Sequence, residues 1–463
     1  MSPLRIDGAL TGSFEVLMAD KTYWNKEMET MPPRKLQKLE EGLLKEELLY
    51  IEKRSPFYRE KWREAGVSAG DFKSMEDLQK FPFTTKDDLR KTQEEVGGLG
   101  GHRCCEKEDL VRIQGTSGTT GRPLYIGLTK ADADLWCELF ARHAYAGGIR
   151  PGDSFINPAN FTLFVGGLSE SVSAEAMGFC VIPAPLGSAG LEKLFELIIE
   201  FRPTVLFATP SATVFLAEYV RDTLTMDPRD LGFTKGFMAG EALAEEDRAT
   251  IEETWGITAR NYYGLADVAA DLASECDALS GLHLCGAGAV TAEIIDPVTL
   301  EQKKLEDGVE GEIVYTTIRR EATPVIRYRC RDMVRAYVEK CACGRTSMRF
   351  HVIGRSDDML KVKGVNVFPA ALKDVISSFT PRTTGEMRIV LNEPGPAIGT
   401  NLEIKVEYGE GVKKGDLEGL AAEIKQTIKQ KLVFSPIVTM IPPQTLPRSQ
   451  YKIEYFERTY EEK

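Results

Sequence analysis

Between Asp153 and Tyr263, short apolar runs alternate with longer segments whose apolar residues recur at helical spacing. DSFINP, FCVIPAP, TVLFATP, GFMAGEA and TARNYYG predict strands, while LEKLFELIIEFR and AEEDRATIEETWG predict helices. Apolar strands separated by helical crossovers belong to a parallel sheet covered on both faces. Each run ends in turn residues: Asn157-Pro158, Pro185-Leu186-Gly187, Thr209-Pro210-Ser211, Gly240-Glu241 and Tyr263-Gly264. These fall at the carboxyl ends of strands, where open α/β sheets bind ligands.

Upstream, RKLQKLEEGLLKEELLYIEKRS is a charged amphipathic helix, and the region before Asp109 reads as mostly helical, broken at Pro32, Pro33 and FPFTTKDDLR. DLVRIQ and LYIGLT then predict two strands around the loop TSGTTGRP, followed by a helix in ADADLWCELFARHAYAGG. Past Asp277, AEIIDP, GEIVYTTI, TPVIRYR and MVRAYV predict four strands, and beyond GRSDDMLKVKGVNVFP the strand LEIKVEYG and helix LEGLAAEIKQTIKQKL suggest a separate module. The expected class is α/β: a large N-terminal domain with a helix-wrapped parallel sheet and a β subdomain, plus a small mobile α+β C-terminal domain. The expected divisions are 1–108 (helical), 109–276 (α/β core for nucleotide and acid), 277–354 (β-rich) and 357–463 (mobile).

Composition adds exclusions. The chain has 463 residues, 43% of them hydrophobic, and a formal charge of −12, which disfavours nonspecific binding to nucleic acid or anionic membranes. MSPLRIDGALTG has neither a basic start nor an unbroken apolar stretch, and no apolar run long enough to span a bilayer follows, so a soluble cytoplasmic protein is expected. Nine cysteines, an odd count, point to a reducing compartment rather than a disulfide framework.

The loop Gly115-Thr116-Ser117-Gly118-Thr119-Thr120-Gly121-Arg122-Pro123 sets small residues, hydroxyls and one guanidinium between two strands. Glycines let backbone N–H groups approach an oxyanion, hydroxyls add donors and the arginine adds charge, so phosphate suits it. It lacks the GxxxxGK[ST] spacing of a Walker loop.

In order along the chain stand TSGTTGRPL from Thr116, AGEAL from Ala239, NYYGLAD from Asn261, YRCRD from Tyr328, GRSDDMLKVKGVNVFP from Gly354 and LPRSQYK ending at Lys452. With these motifs the chain resembles the adenylate-forming acyl-CoA synthetase superfamily, and within it the phenylacetate–CoA ligase family; YWNKEMETMPP, FYREKW and FPFTTKDDLR are similar to that family too. The resemblance implies an ATP-dependent, AMP-forming acid–thiol ligase that converts an arylacetate-type acid to acyl-AMP and then acyl-CoA, using ATP, Mg²⁺ and coenzyme A, with a homodimer reasonable.

Residue by residue, the resemblance makes Thr116 to Arg122, Gly240, Glu241, Asn261, Tyr262, Tyr263, Gly264, Asp332 and Arg355 the ATP site. Asn261 reads the adenine amino group, Tyr263 stacks on the base and Asp332 accepts both ribose hydroxyls. Asp267 stands where the family has a glutamate reaching Mg²⁺, one methylene shorter, and Ala266 replaces a hydroxyl residue. Asp357 resembles the hinge, Lys361, Lys363 and Gly364 line the channel for the CoA thiol, and Lys452 resembles the catalytic lysine that bridges the carboxylate and α-phosphate. Elementary electrostatics agrees: two unit anions about 3 Å apart repel by roughly 5 kcal/mol at an effective dielectric near 20, so cations must be supplied locally.

Two further groups of residues carry expectations. Cys276, His283, Cys341 and Cys343 have the donor types of a closed Cys₃His structural zinc site, with Cys285 possible in place of Cys276 or His283. Phe161, Phe164, Gly166, Gly167, Leu186, Gly187, Ser188, Ala189, Gly190 and Ala239 would form an acid pocket of aromatic and small residues suited to an aromatic monocarboxylic acid such as phenylacetate or indoleacetate. Competing readings are an adenylating enzyme with an amine, hydroxyl or carrier-thiol acceptor, and a nonenzymatic nucleotide-binding scaffold.

Overall fold

A computed structural model describes residues 22–116, 123–159, 161–184, 186–362, 365–392, 397–398, 401–446 and 455–460. The first described elements are helical. Pro33–Arg54 and Pro56–Glu64 meet at Ser55, whose hydroxyl accepts from the Tyr58 N–H at 3.1 Å and so caps the second helix. Leu44, Leu48 and Ile51 share one helical face and, with Tyr58 and Trp62, bury against Ile318 and Ile326. The helical segment is thereby built onto the β-rich part of the chain. β1 (Thr84–Thr85) is joined to that region as well, pairing in parallel with residues 328–329.

β2 (Leu110–Gly115) and β3 (Tyr125–Thr129) form an antiparallel hairpin. β4 (Ser154–Asn157), β5 (Cys180–Pro183), β6 (Val205–Ala208), β7 (Lys235–Met238) and β8 (Thr258–Leu265) are the predicted parallel strands, in the spatial order 5-4-6-7-8. β6 is buried along its whole length, as the apolar run VLFA requires. The sheet continues antiparallel through β9 (Ala269–Ser274), β10 (Leu282–Leu284), β14 (Arg349–Arg355), β13 (Tyr328–Tyr337), β12 (Val309–Thr317) and β11 (Val290–Ile295), making twelve strands with β1 among the described residues.

Beyond it, β15 (Leu360–Val362), β16 (Val365–Val367) and β18 (Ala397–Ile398) form one small sheet. β17 (Thr383–Leu391), β19 (Glu403–Tyr408), β20 (Ile437–Ile441) and β21 (Phe456–Arg458) form another, with helices Pro369–Ser377 and Leu417–Leu432. Their core, including Leu372, Ile376, Ile389, Ile404, Ile424 and Ile428, draws only on residues from 360 onward. This is the anticipated class: a helix-wrapped sheet with a β-rich extension and a small α+β domain.

Two local expectations change. TPVIRYR and MVRAYV are not separate strands: Tyr328–Tyr337 is one strand of 10 residues, and 323–326 lie outside it. The Cys330-Arg331-Asp332 break between the two predicted strands stays within the ladder, and Arg329 beside it is neutralised by buried Glu312 at 2.9 and 2.7 Å. Arg331 takes a left-handed φ of 72°, and the register with β14 shifts just after it. The stretch from Leu186 to Gly190, expected as a loop, opens the helix Leu186–Phe201 and is set off from the rest by a break at Gly190, φ 74°. Among the described residues no helix is long and apolar enough to cross a membrane.

Candidate active site

β8 alternates its side chains across the sheet, so Asn261 and Tyr263 share a face and Tyr262 takes the other. The Tyr263 hydroxyl donates to Asp332 Oδ2 at 2.5 Å, and its ring meets Phe350 edge-on at 5.6 Å. Asp332, on β13, is the cross-strand partner of Arg355 on β14. Arg355 donates through Nη1 to Asp332 Oδ1 at 3.0 Å, and through Nε and Nη2 to Asp357 at 2.9 and 2.8 Å. One guanidinium thus ties β13 to the first aspartate of the DD pair. Burial raises the Asp332 pKa, opposed by the Arg355 charge and the Tyr263 hydrogen bond. A carboxylate has about four acceptor positions, so Asp332 keeps capacity for further donors.

The backbone of Asn261 is fixed by Glu275, which accepts its N–H at 2.6 Å and is itself held by Arg248 at 2.8 Å. Gly240 has φ 80°, a left-handed turn just after β7, and presents Glu241, which accepts from the Ser211 N–H at 3.1 Å and hydroxyl at 2.8 Å. Gly264 is required by contact rather than by φ: a Cβ there would lie 1.8 Å from the Ala270 carbonyl oxygen, where the β8–β9 register shifts.

Asp267 follows in the same segment, 5% exposed, with Oδ1 lacking a hydrogen-bond partner among the described residues and Oδ2 lying 3.7 Å from Lys86 Nζ. Sequence reasoning did not single out Lys86. It opens the helix Lys86–Val96 directly after β1, and the pairing of β1 with β13 brings it here. The only signal was its place in FPFTTKDDLR.

Thr116 is buried at the end of the β2–β3 hairpin, its hydroxyl accepting the Leu124 N–H at 3.3 Å. The Gly115 N–H donates to the Leu163 carbonyl at 2.7 Å, joining the hairpin to the loop after β4. Ser117, Gly118, Thr119, Thr120, Gly121 and Arg122 lie outside the described residues, as do Lys363, Gly364 and Lys452. Lys361 lies on β15 and is exposed.

Of the expected acid pocket, Phe164 is 39% exposed and folds over Gly166, where a Cβ would come within 2.7 Å of its ring. Phe161 is half-buried. Ala239 packs against an aromatic cluster that contains Tyr262, Phe207 and Phe237. Gly187 and Ser188 lie in the helix that follows β5. Tyr262 does not join Asn261 and Tyr263: its ring stacks on Phe237 at 4.9 Å, inside the core.

Away from this face, ligand atoms of Cys276, His283, Cys341 and Cys343 all lie within 4.8 Å of one another. Cys276 Sγ is 3.6 Å from Cys341 Sγ, and Cys343 Sγ is 3.3 Å from His283 Nε2. Cys343 is held far below the usual thiol range by its hydrogen bond with Cys276 and by His283, while the same contact raises Cys276. Cys285 is outside this group, its thiol directed at the His283 carbonyl at 3.4 Å. Strand alternation would have put it on the His283 face, but β10 ends at Leu284.

Comparison with known proteins bears on this arrangement. Residues 55–318 match the AMP-binding enzyme family and residues 364–457 the AMP-binding enzyme C-terminal domain. The phenylacetate-coenzyme A ligase of Thermus thermophilus is 34% identical over 443 residues, spanning 92% of this chain and 97% of that one. The chain belongs to the phenylacetate–CoA ligase family of AMP-binding enzymes. Among solved structures, 2-hydroxyisobutyryl-CoA ligase in its postadenylation state, in complex with R3-HIB-AMP, superposes with TM-score 0.88 at 27% identity, covering 96% of this chain and 94% of that one. The same enzyme in its thioesterification state, with 2-HIB-AMP and CoA, gives 0.70 at 27% identity, covering 95% and 94%. Because those two neighbours share one sequence, the difference is conformational. This family member therefore has its domains arranged nearer to the first state.

Proposed function

We propose that this chain is an AMP-forming CoA ligase that activates an aromatic acid of the arylacetate type through an acyl-adenylate. The observation that carries the reading is the end-to-end match with phenylacetate-coenzyme A ligases, spanning both domains. The local geometry supports the division of labour. Asp332, with spare acceptor capacity beside Tyr263, suits a ribose diol, and Asn261 and Tyr263 on the same face of β8 suit the base. Glu241, Gly240 and Gly264 border that space, and Thr116 leads into the phosphate loop.

Asp267 Oδ1, buried and without a hydrogen-bond partner among the described residues, is a hard donor of the type Mg²⁺ takes, and Asp267 would hold that ion. When bound, the ion offsets phosphate charge during adenylation. Lys86 stands close enough to Asp267 to serve the same charge balance from the protein. Lys452 is the mobile cation that lets the acid's carboxylate approach the α-phosphate, Asp357 is the hinge, and Lys361, Lys363 and Gly364 line the path of the CoA thiol. Cys276, His283, Cys341 and Cys343 would hold a structural Zn²⁺, a closed donor set that leaves no position for a reacting water.

The test is AMP release from ATP with phenylacetate, indoleacetate and benzoate, with and without CoA. AMP release that needs both an aromatic acid and CoA is expected; product formation without CoA, or reaction of aliphatic acids alone, would contradict the proposal. Lys452→Ala should abolish adenylate formation while largely sparing thiol attack on presynthesised acyl-AMP, and equal loss of both half-reactions would contradict the role given to Lys452.

A further inference from the structure

Behind β8, on the side of the sheet opposite Asn261 and Tyr263, lies a fully enclosed polar cluster. The Tyr262 hydroxyl is 2.5 Å from Glu170 Oε1 and 2.8 Å from Asp271 Oδ1. Both carboxylates are 1% exposed, and the second oxygen of each, Glu170 Oε2 and Asp271 Oδ2, has no hydrogen-bond partner among the described residues. His143 is 0% exposed, its ring centroid 3.9 Å from that of Tyr262 and its Nε2 4.0 Å from Asp271 Oδ1, and neither ring nitrogen has a partner among the described residues. No lysine or arginine among the described residues forms an ion pair with either carboxylate.

A folded core does not gain stability from two adjacent carboxylates and an imidazole left with open valences; polar groups at such depth are ordinarily satisfied. Their position says what would satisfy them. Glu170 is on the helix Val165–Ala176, whose first turn carries Gly166 and Gly167, and Tyr262 packs in the aromatic cluster that borders Ala239. Gly166, Gly167 and Ala239 are residues expected from the sequence to form the acid pocket. The cluster therefore lies against these residues, with the Tyr262 ring 5.8 Å from that of Phe207 and 4.9 Å from that of Phe237.

Tyr262 has one hydroxyl proton for two short contacts, so one carboxyl must itself be the donor in one of them. Burial raises both carboxyls, Glu170 further through the Asp271 charge, the two carboxyls hydrogen-bond each other, and burial keeps His143 neutral, so one proton is held between Glu170 and Asp271 while their other lone pairs stay open as acceptors. The remaining open positions are mainly acceptors. A second carboxylate on the substrate would be repelled, and a plain hydrocarbon ring would leave the acceptors unmet.

We propose that Glu170, Asp271 and His143 form the inner end of the acid-binding pocket and hold a hydrogen-bond donor, a hydroxyl or amino group, carried by the substrate acid at the end remote from its carboxylate. This inference rests on the ligase reading and narrows it to donor-bearing aryl acids. Pockets built around buried hydrogen-bonding groups discriminate strongly against analogues that lack the partner.

The test compares phenylacetate, 4-hydroxyphenylacetate and 4-aminophenylacetate by kcat/KM for AMP release, in the wild-type chain and in Glu170→Gln and Asp271→Asn. The expected result is a preference of at least about tenfold for one or both donor-bearing acids over phenylacetate in the wild-type chain, and a fall of that preference ratio by at least about threefold in either variant. A wild-type chain that uses phenylacetate as well as the substituted acids overturns the inference and leaves the ligase reading intact. A wild-type preference that survives unchanged in both variants overturns the assignment to this cluster. Absence of AMP release with every acid instead defeats the ligase reading. The wild-type comparison stands even where a variant does not fold.

Discussion

Asp332 is held by two donors, Tyr263 and Arg355, in a position where burial works against its charge. Asp332→Asn keeps the shape but removes the charge and one acceptor. Hydrogen bonds to a charged group are worth about 1.5–3 kcal/mol each, so the KM for ATP should rise tenfold or more, with a smaller effect on the KM for the acid. Steady-state kinetics with each substrate varied in turn reads this directly, and an equal rise in both constants would point to general damage. At this scale the sequence was informative where a residue sat inside an ordered motif, as Asn261, Tyr263, Asp332 and Arg355 do. It was silent on Lys86, Glu170 and Asp271, because their meaning comes from neighbours far along the chain: Lys86 meets Asp267, and Glu170 meets Asp271 through Tyr262.

At the scale of elements, the cysteine cluster fastens the segment around β10 to the turn 341–344. Tyr23 donates to the Cys343 carbonyl at 2.6 Å, and Gly344, with φ 82°, fits beneath it because a Cβ would lie 2.4 Å from the Tyr23 hydroxyl oxygen. Purified protein should carry about one zinc per chain, and Cys341→Ser should lose it and lower Tm by roughly 5 °C or more. Cys285→Ala should leave metal content unchanged, since its thiol faces the His283 carbonyl. Metal analysis and thermal unfolding of both variants separate the two positions; zinc retained in Cys341→Ser would remove the site. Period and composition gave the parallel strands β4 to β8, since a buried strand needs only an unbroken apolar run. They split Tyr328–Tyr337 into two strands, because the charges of YRCRD interrupt the apolar run until Glu312 is seen to neutralise Arg329.

At the scale of the whole molecule, the helix Pro369–Ser377 of the small domain faces the helix Glu245–Trp255 of the large one. Glu241, Glu246, Asp247, Asp374 and Glu386 approach one another there, with Lys373 and Lys431 as nearby cations. Burial, then repulsion from Asp247 and Glu246, raises Asp374 to about 6. A raised carboxyl pKa means that the docked arrangement binds the proton more tightly than the separated one. Its contribution is therefore fully present below the ordinary carboxylate value and is lost as pH rises through about 6. Energy transfer between labels on the two domains should show the docked arrangement more populated at about pH 5 than at about pH 8. Asp374→Asn should weaken that dependence and favour docking at the higher pH. A distribution insensitive to pH in both proteins would sink this account.

The order of six motifs, the apolar period of the strands and the donor types of the cysteines belong to the sequence by itself, because each is read from residue type and chain position without knowing which residues meet in space. Which face Tyr262 takes, which cysteine is left out of the cluster, and which carboxylates meet in the core were decided only by tertiary structure. Burial and contact between distant segments are not local properties, and it is these that leave Glu170 and Asp271 with acceptors still to fill.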